Sequence, residues 1–205
     1  MSFIGGGTTI FESFETQTPG SSRNPVTSVG SFTGLGTAGS GSTAVSCGGA
    51  AVGDGACVKP AGSAGGRFAT DGQNWLDSND MESILWTIPG PDGAPFAAIT
   101  RIAFLLTDID DVDWVRFNIQ AGGDAIGSTQ NSVSGGLRDG RLHLVTMDFS
   151  EAVRNVAITM TNGRNDGFGI DSVGVAVAPV PLPAAGWLMI AGLGGLAALR
   201  RRRKV

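Results

Sequence analysis

The chain has 205 residues, of which 41% are hydrophobic and 16% are charged, with 33 glycines, no tyrosine and a single histidine, His143. All 18 acidic residues precede Pro179, but only nine of the 14 basic residues do, so this body carries a net charge of about −9. It is therefore not expected to bind nucleic acid, because phosphate contacts need Lys and Arg. Low charge with much Gly, Ser and Thr favours an exported β-rich protein over a helical cytosolic enzyme.

The N-terminal part predicts two strands followed by a long loop. The segment from Thr8 to Phe14 is β-prone and forms the first predicted strand, which Pro19-Gly20 ends with a turn. Val26 to Phe32 is the second predicted strand. Residues 33–66 are rich in Gly, Ser and Ala without clear periodicity, so we expect a long surface loop there.

The two cysteines of the chain, Cys47 and Cys57, lie in this predicted loop. In an oxidising compartment they would form a disulfide that closes a short loop, worth about 3 kcal/mol in the chain-entropy model. No second cysteine pair or histidine lies near them in sequence, which argues against a metal site. We predict the disulfide, and two free thiols are the alternative.

From residue 66 onward, apolar segments recur with turn residues between them. In the segment after Asp113, Val115, Phe117 and Ile119 alternate with polar residues, the pattern of a half-buried strand. No part of residues 1–178 has a sustained helical period. The pattern predicts an all-β antiparallel β-sandwich. The predicted strands are Gly66–Thr70, Met81–Ile88, Ile99–Leu106, Val115–Ile119, Leu142–Phe149, Val156–Met160 and Phe168–Val177.

A polar segment around Trp75 is a candidate sugar-binding loop. Its polar residues are Asp71, Asn74, Asp77, Asn79 and Asp80. An exposed tryptophan beside amides and carboxylates offers a ring face on which a sugar can stack. The alternative is that Trp75 packs into the edge of the sandwich, as we expect of Trp86 and Trp114 in the core.

The densest acidic cluster follows the strand that ends near Leu106. Closely spaced loop carboxylates suit calcium, which takes several oxygen ligands. The cluster is not an EF-hand, because its sixth position is Asp113 and its twelfth is Ile119. A calcium site and a solvated turn are both consistent with it. The acidic residues are Asp108, Asp110, Asp111 and Asp113.

Enzyme signatures are sparse. The chain has no G-x-S-x-G motif, and its one histidine lies within a strand pattern without a marked nucleophile. Residues 34–39 match G-x-G-x-x-G, but no helical pattern follows them. Carboxylates are numerous enough for glycosidase chemistry, yet no pair stands out. We therefore predict that the chain is not an enzyme.

Two short motifs at the ends of the body carry a resemblance. Phe14-Glu15 with Pro19-Gly20, together with the late Gly169–Val173 sequence GIDSV, resembles the jelly-roll carbohydrate-binding and galactose-binding-like modules. The resemblance implies that the first and last strands pair and that Glu15 and Asp171 hold a structural calcium. Those modules usually have Asp-Asp where this chain has Asp171-Ser172, so at most one carboxylate of that pair is kept. The alternative is two strand-end carboxylates that accept hydrogen bonds from backbone amides.

The last 26 residues have three parts in a fixed order. Val180-Pro181-Leu182-Pro183 is followed by an uncharged apolar run, from Ala184 to Leu199, and then by a basic block. As a helix the run would span about 24 Å at about 1.5 Å per residue, slightly short of a bilayer core of about 30 Å. The basic block would remain cytoplasmic by the positive-inside rule. It consists of Arg200, Arg201, Arg202, Arg203 and Lys204.

This order resembles the VPLPA variant of the PEP-CTERM sorting signal of exported Gram-negative proteins. The resemblance implies a signal over residues 179–205, with a transmembrane helix over about 183–199 and a membrane-stop block over 200–204. It also implies an exosortase-type membrane protease as partner, which acts near the sorting motif. The motif residues are Val180, Pro181, Leu182, Pro183 and Ala184. A permanent C-terminal membrane anchor is the alternative.

The sequence thus predicts a protein that is exported across the inner membrane, held briefly in the bilayer, and then placed at the cell surface or released. Residues Met1–Gly7 lack the features of a signal peptide, so we expect a start upstream of Met1. The body is expected to be structural, adhesive or glycan-binding, with an envelope or matrix polysaccharide as ligand. A secreted carbohydrate-active enzyme, or its binding module, is the runner-up.

Overall fold

A computed structural model describes residues 8–20, 23–36, 55–62, 66–89, 97–108, 115–121, 124–131, 141–162 and 167–179. These ranges form two antiparallel sheets and contain no helix, which confirms the predicted all-β class. No helix able to cross a membrane occurs in them. The predicted C-terminal helix and sorting motif lie outside the described residues, and so does the division into body and tail.

The first sheet, sheet A, has the order β10-β7-β12-β5-β4, and β1 also pairs with β12. The pairing of β1 with β12 joins Thr8 to Val177 and Glu12 to Val173, so the expected contact of first and last strands is confirmed. The strands of this sheet are β1 (Thr8–Glu12), β4 (Cys57–Lys59), β5 (Trp75–Asp77), β7 (Ala97–Thr107), β10 (Leu142–Val153) and β12 (Gly169–Pro179).

The second sheet, sheet B, has the order β2-β3-β6-β11-β8-β9. Its first two strands are a hairpin that divides the single strand predicted over 26–32, because Gly30 takes a positive φ of 115°. The strands are β2 (Val26–Thr27), β3 (Gly30–Leu35), β6 (Ser83–Ile88), β8 (Val115–Ala121), β9 (Asp124–Asn131) and β11 (Val156–Thr161).

The core lies between the two sheets and contains a row of aromatic rings. Consecutive ring centroids along this row are 5.8, 5.1, 5.5 and 6.3 Å apart. Such spacings allow edge-to-face and stacked contacts that add to the hydrophobic gain. Trp86 is fully buried, as predicted, and its indole Nε1 donates to the Val29 carbonyl at 3.0 Å. The rings belong to Phe14, Phe32, Trp86, Phe104 and Phe117.

Two predicted loops contain strands that the sequence pattern did not reveal. Strand β4 lies inside the predicted 33–66 loop, and β5 lies inside the predicted polar loop around Trp75. The two are three residues long and pair with each other, with Cys57 opposite Asp77. Cys57 is buried. Cys47 lies outside the described residues, so its pairing with Cys57 stays a prediction.

Candidate functional site

A polar layer covers one end of sheet A on the face turned away from the core. Leu76 and Ile170 point into the core, so their strand neighbours point to the opposite face. Those neighbours include Trp75, Asp77 and Asp171, all at most 1% exposed. They are buried because the chain over residues 66–74 crosses this face and bonds to it. We call these residues and the covering segment the polar layer.

Asp171 holds the covering segment by its carboxylate. Its Oδ2 accepts the amide N–H of Thr70 at 2.6 Å, the amide N–H of Asp71 at 2.9 Å and the Thr70 hydroxyl at 2.9 Å. Its Oδ1 accepts the amide N–H of Ser172 at 2.7 Å. Asp171 lies at the point along β12 where the neighbouring strand changes from β5 to β1. The next residue, Ser172, takes a positive φ of 51°. The irregular strand therefore places a carboxylate under the loop.

Glu15 holds the same segment from its other side. Its Oε1 accepts the amide N–H groups of Gln73 at 2.7 Å and Asn74 at 2.5 Å. Asn74 in turn donates through Nδ2 to the carbonyls of Phe14 at 3.1 Å and Gln17 at 3.3 Å. The contacts tie the turn after β1 to the segment before β5.

Glu15 and Asp171, the predicted calcium pair, thus both accept hydrogen bonds from one short segment, residues 70–74. Burial raises the pKa of Asp171, and the hydrogen bonds from Thr70, Asp71 and Ser172 oppose that rise. Both oxygens of Asp171 accept hydrogen bonds, so a cation bound there would compete with these donors. Among the described residues, no group of three or more His, Cys, Asp or Glu side chains is arranged to hold a metal. Calcium binding by this chain stays a prediction.

A buried ion network occupies the other half of the polar layer. Arg67 is 2% exposed, and its Nη1 lies 3.0 Å from Asp77 Oδ1 and 3.4 Å from Asp80 Oδ1. Its Nε lies 3.9 Å from Asp108 Oδ2. Lys59 Nζ lies 4.0 Å from Asp77 Oδ2. Two cations and three carboxylates are thus gathered out of water, where breaking one pair is costly.

Burial shifts the pKa of two members of this network, Asp77 and Lys59. Burial raises the pKa of Asp77, although the neighbouring Arg67 charge opposes the rise. Burial likewise lowers the pKa of Lys59, although the Asp77 charge opposes it. Both changes favour the neutral forms, as expected for charges removed from water. The network is a packed support for the sheet and offers no carboxylate to solvent.

The structure corrects the role predicted for Trp75. The ring is 1% exposed, and a Cβ at Gly169 would lie only 3.0 Å from its Cε3 atom. A ring held between the sheet and a covering loop has no face free for a sugar. The edge-packed alternative is the one that the structure shows, and the surrounding residues that we expected in an exposed loop, from Asn74 to Asp80, are buried too.

The predicted acidic loop is described only at its first residue. Asp108 is buried with a positive φ of 57°, and it faces Arg67. Its amide donates to the Arg141 carbonyl at 3.2 Å. Asp110, Asp111, Asp113 and Trp114 lie outside the described residues, so calcium binding at this loop stays a prediction.

A cavity of about 540 Å³ opens elsewhere, where the hairpin of sheet B faces β1 and β12. Aliphatic side chains dominate its wall, among them Ile10, Val175 and Val177. The Ser28 and Ser31 hydroxyls belong to the same wall, and the 75% exposed Val26 also lines it. No aromatic residue lines it among those described. It is an apolar recess with a few hydroxyl groups.

The sequence analysis singled out Glu15 and Asp171 but missed the two buried cations of the ion network, Arg67 and Lys59. Arg67 and Lys59 looked like ordinary surface residues, because long charged side chains are mostly exposed. One signal was available: Asp77, Asn79 and Asp80 lie close together next to apolar Trp75 and Leu76. Polar residues inside an apolar run are a sign of a buried polar network.

Comparisons with known proteins place the chain by its fold. No family model and no curated protein matches it. The K2 cleaved adhesin domain of Lys-gingipain is 14% identical with a TM-score of 0.52, and the match covers 82% of this chain and 99% of that domain. The CBM22-1 xylan-binding domain of Paenibacillus barcinonensis Xyn10C is 10% identical with a TM-score of 0.45, covering 85% and 97%.

A Stig cyclase from Fischerella sp. TAU is 14% identical with a TM-score of 0.41, and the match covers 67% of this chain and 82% of the cyclase. Identities this low show nothing about ligands. Of these three structures, only the adhesin domain has a TM-score above 0.5. The chain therefore has the β-sandwich fold found in that adhesin domain.

Proposed function

We propose that this chain is an exported envelope or matrix protein whose β-sandwich body binds an extracellular glycan without transforming it. The observation that carries the proposal is the fold, which matches an adhesin domain over 99% of that domain's length. The acidic body and its resemblance to carbohydrate-binding modules agree with this role. The tail over residues 179–205 is proposed to direct the protein to an exosortase-type protease.

The environment of the buried carboxylates supports binding rather than catalysis. Asp77 and Asp80 are 1% exposed and face Arg67, so they do not meet a substrate in solvent. Glycoside hydrolysis needs two carboxyl groups that flank the scissile bond. The side chains of the polar layer instead hold the loop and the sheet together.

We place the candidate glycan contact at the cavity beside the β2–β3 hairpin. Its aliphatic wall suits the C–H faces of a sugar ring, and the Ser31 hydroxyl can meet a sugar hydroxyl, whereas the Ser28 hydroxyl donates to Glu12 Oε2 at 2.9 Å. Val26 stands at this wall and is 75% exposed, so a charge introduced there blocks the recess with little strain. Val26→Lys is therefore the variant that tests the location.

A glycan array with the full chain, in calcium and in EDTA, tests the function. Saturable binding to a polysaccharide, weakened at least about tenfold by Val26→Lys at unchanged melting temperature, is the expected result. A tenfold loss corresponds to about 1.4 kcal/mol of binding free energy. Release of sugar products would favour the runner-up, a carbohydrate-active enzyme, and would contradict the proposal.

The sorting proposal has a separate test. Intact-mass measurement of the protein recovered from the cell surface is expected to show loss of Arg200–Lys204. A mass that includes these five residues would contradict cleavage and would favour a permanent membrane anchor.

A further inference from the structure

We propose that Lys59 and Asp77 condense into an amide bond, which links β4 to β5 covalently. The two residues point to the same face of sheet A, because Cys57 pairs with Asp77 and Lys59 pairs with Trp75. Lys59 Nζ lies 4.0 Å from Asp77 Oδ2, and both side chains are buried. An amine and a carboxyl group held side by side out of water are the two reactants of amide formation.

The type of basic residue at position 59 supports this chemistry. Among the nine basic residues before Pro179, Lys59 is the only lysine, and all the others are arginines. Lysine is usually exposed, yet this one is 4% exposed. An arginine could form the same ion pair and would keep its charge, whereas a lysine that loses its proton becomes a nucleophile. Position 59 therefore carries the one basic residue of the body that can react with a carboxyl group.

The surroundings favour the reactive form of each group. Burial lowers the pKa of Lys59 and raises the pKa of Asp77, which favours a neutral amine beside a carboxylic acid. Asp77 Oδ1 accepts the Asn79 amide N–H at 2.9 Å and Arg67 Nη1 at 3.0 Å. Two donors at one oxygen stabilise the negative charge that develops on it when an amine attacks the carboxyl carbon. The other oxygen, Oδ2, faces Lys59 and is the one that leaves.

Asp80 provides the group that moves the proton. Its Oδ2 is buried and has no hydrogen-bond partner among the described residues, and beside the larger effect of burial its charge raises the pKa of both Lys59 and Asp77. The Lys59 amine attacks the Asp77 carboxyl carbon, and the C–N bond forms while Asp80 accepts the surplus amine proton. Asp80 returns this proton to the departing hydroxyl of Asp77, the C–O bond breaks, and one water molecule leaves. Amine and acid thus become amide and water, without an oxidant or a co-reactant.

The bond closes the chain between β4 and β5 into a covalent loop. This loop contains the covering segment, residues 66–74, so the bond fixes the segment from both of its ends. Neither urea nor a reducing agent breaks an amide, and a cross-link that persists in the unfolded chain restricts the conformations of that chain. Asp77 titrates only until the bond forms, so a pH-dependent stability from this residue is a property of the uncondensed chain.

Refolding followed by mass spectrometry tests the inference on the full chain. The chain is isolated in urea and refolded, and its mass is measured at intervals after reduction of any disulfide. In urea the mass is expected to equal that of the sequence, and after refolding it is expected to fall by one water molecule. A refolded wild-type chain that keeps the full mass would overturn the proposal.

Trypsin locates the bond. Loss of one water also accompanies succinimide formation, for which Asp71-Gly72 is a candidate, so the mass alone does not identify an amide. Cleavage after Arg67 separates Lys59 from Asp77, and only the proposed bond leaves the two on one branched peptide. Unlinked peptides from a chain that has lost water would refute the bond.

Three variants separate the roles of the residues. Lys59→Arg keeps the charge without the nucleophile and should give no branched peptide, whereas Lys204→Arg, at the only other lysine, is the matched control and should behave as wild type. Asp80→Asn, compared at equal far-UV circular dichroism, is expected to slow formation of the branched peptide at least about tenfold. A branched peptide in Lys59→Arg would overturn the proposal, and an unchanged rate in Asp80→Asn would refute the role of Asp80. No glycan takes part, so the result is independent of the glycan-binding proposal.

Discussion

The two ends of sheet A differ in what covers their outer face. At the β4–β5 end, residues 66–74 cover a layer of charged and polar groups held by Arg67, Glu15 and Asp171. At the β10 end, Leu142 and Leu144 remain exposed beside a strand edge that has no partner in the described chain. One end therefore stabilises the fold through internal contacts, whereas the other leaves apolar side chains exposed. Substitutions at the two ends should consequently affect different properties.

The largest effect is expected for Arg67→Ala. Removing this buried cation leaves Asp77, Asp80 and Asp108 without their common partner, which typically costs about 3–5 kcal/mol of unfolding free energy. Urea unfolding measures the change. Arg101→Ala is the control, because its pair with Asp148 is exposed to solvent and should contribute far less. Equal losses of unfolding free energy in the two variants would contradict the expected difference between the buried Arg67 and the exposed Arg101.

A pH dependence is expected next, from the buried Asp77. Burial raises its pKa in the folded state, so the folded protein holds this proton more tightly than the unfolded chain does. Its contribution to unfolding free energy is therefore greatest below the unfolded pKa and falls as pH rises through the interval up to the folded pKa. Urea midpoints from about pH 4 to about pH 7 should decline less in Asp77→Asn than in wild type. A steeper fall of the urea midpoint with pH in Asp77→Asn than in wild type would contradict a raised pKa of Asp77 in the folded state.

A smaller loss is expected for Glu15→Ala. The carboxylate is exposed but accepts two backbone N–H groups of the covering segment, so its removal should cost about 1–2 kcal/mol. Hydrogen exchange of residues 70–74 should increase in the variant, while β10 remains unchanged. Increased exchange in β10 instead would show that the two ends are not independent.

Calcium is expected to have little effect on the described body. The Asp171 oxygens already accept N–H and O–H donors, with which a cation at this carboxylate would have to compete. The melting temperature in calcium and in EDTA should agree within about 1 °C, below the 2–4 °C that about 1 kcal/mol typically produces in a domain of this size. A large calcium-dependent rise would restore the predicted site at Glu15 and Asp171, or the one at the acidic loop.

The smallest change in stability is expected for Leu144→Lys. This side chain is 53% exposed, and exposed substitutions usually change the unfolding free energy by less than about 0.5 kcal/mol. Thermal unfolding of a dilute sample measures it. A loss of unfolding free energy comparable to that of Arg67→Ala would mean that Leu144 belongs to the packed core rather than to the exposed surface.

Much of the fold could be predicted from the sequence because it depends on regular alternation. Val156, Ile158 and Met160 occupy one face of β11 and are buried, as their period of two requires. The pairing of β1 with β12 followed from a resemblance carried by a few residues. The short strands β4 and β5 could not be predicted, because three residues carry no measurable period.

The site was harder to predict because it depends on contacts distant in sequence. Asp171 and Thr70 are 101 residues apart, and Arg67 meets Asp108 across separate strands. Whether Trp75 stacks on a sugar or is buried depends on the segment that crosses it, which local composition does not reveal. Charged residues in a covered layer are the exception to the usual exposure of Arg and Lys.

The most direct test of binding without catalysis uses one sample for two readings. The full chain is incubated with the polysaccharide that it retains on an array, and both bound protein and released reducing ends are measured over time. Saturable retention with no release of reducing ends is the predicted result. Reducing ends that increase with protein concentration would contradict it and identify an enzyme, and failure to retain any polysaccharide would refute glycan binding.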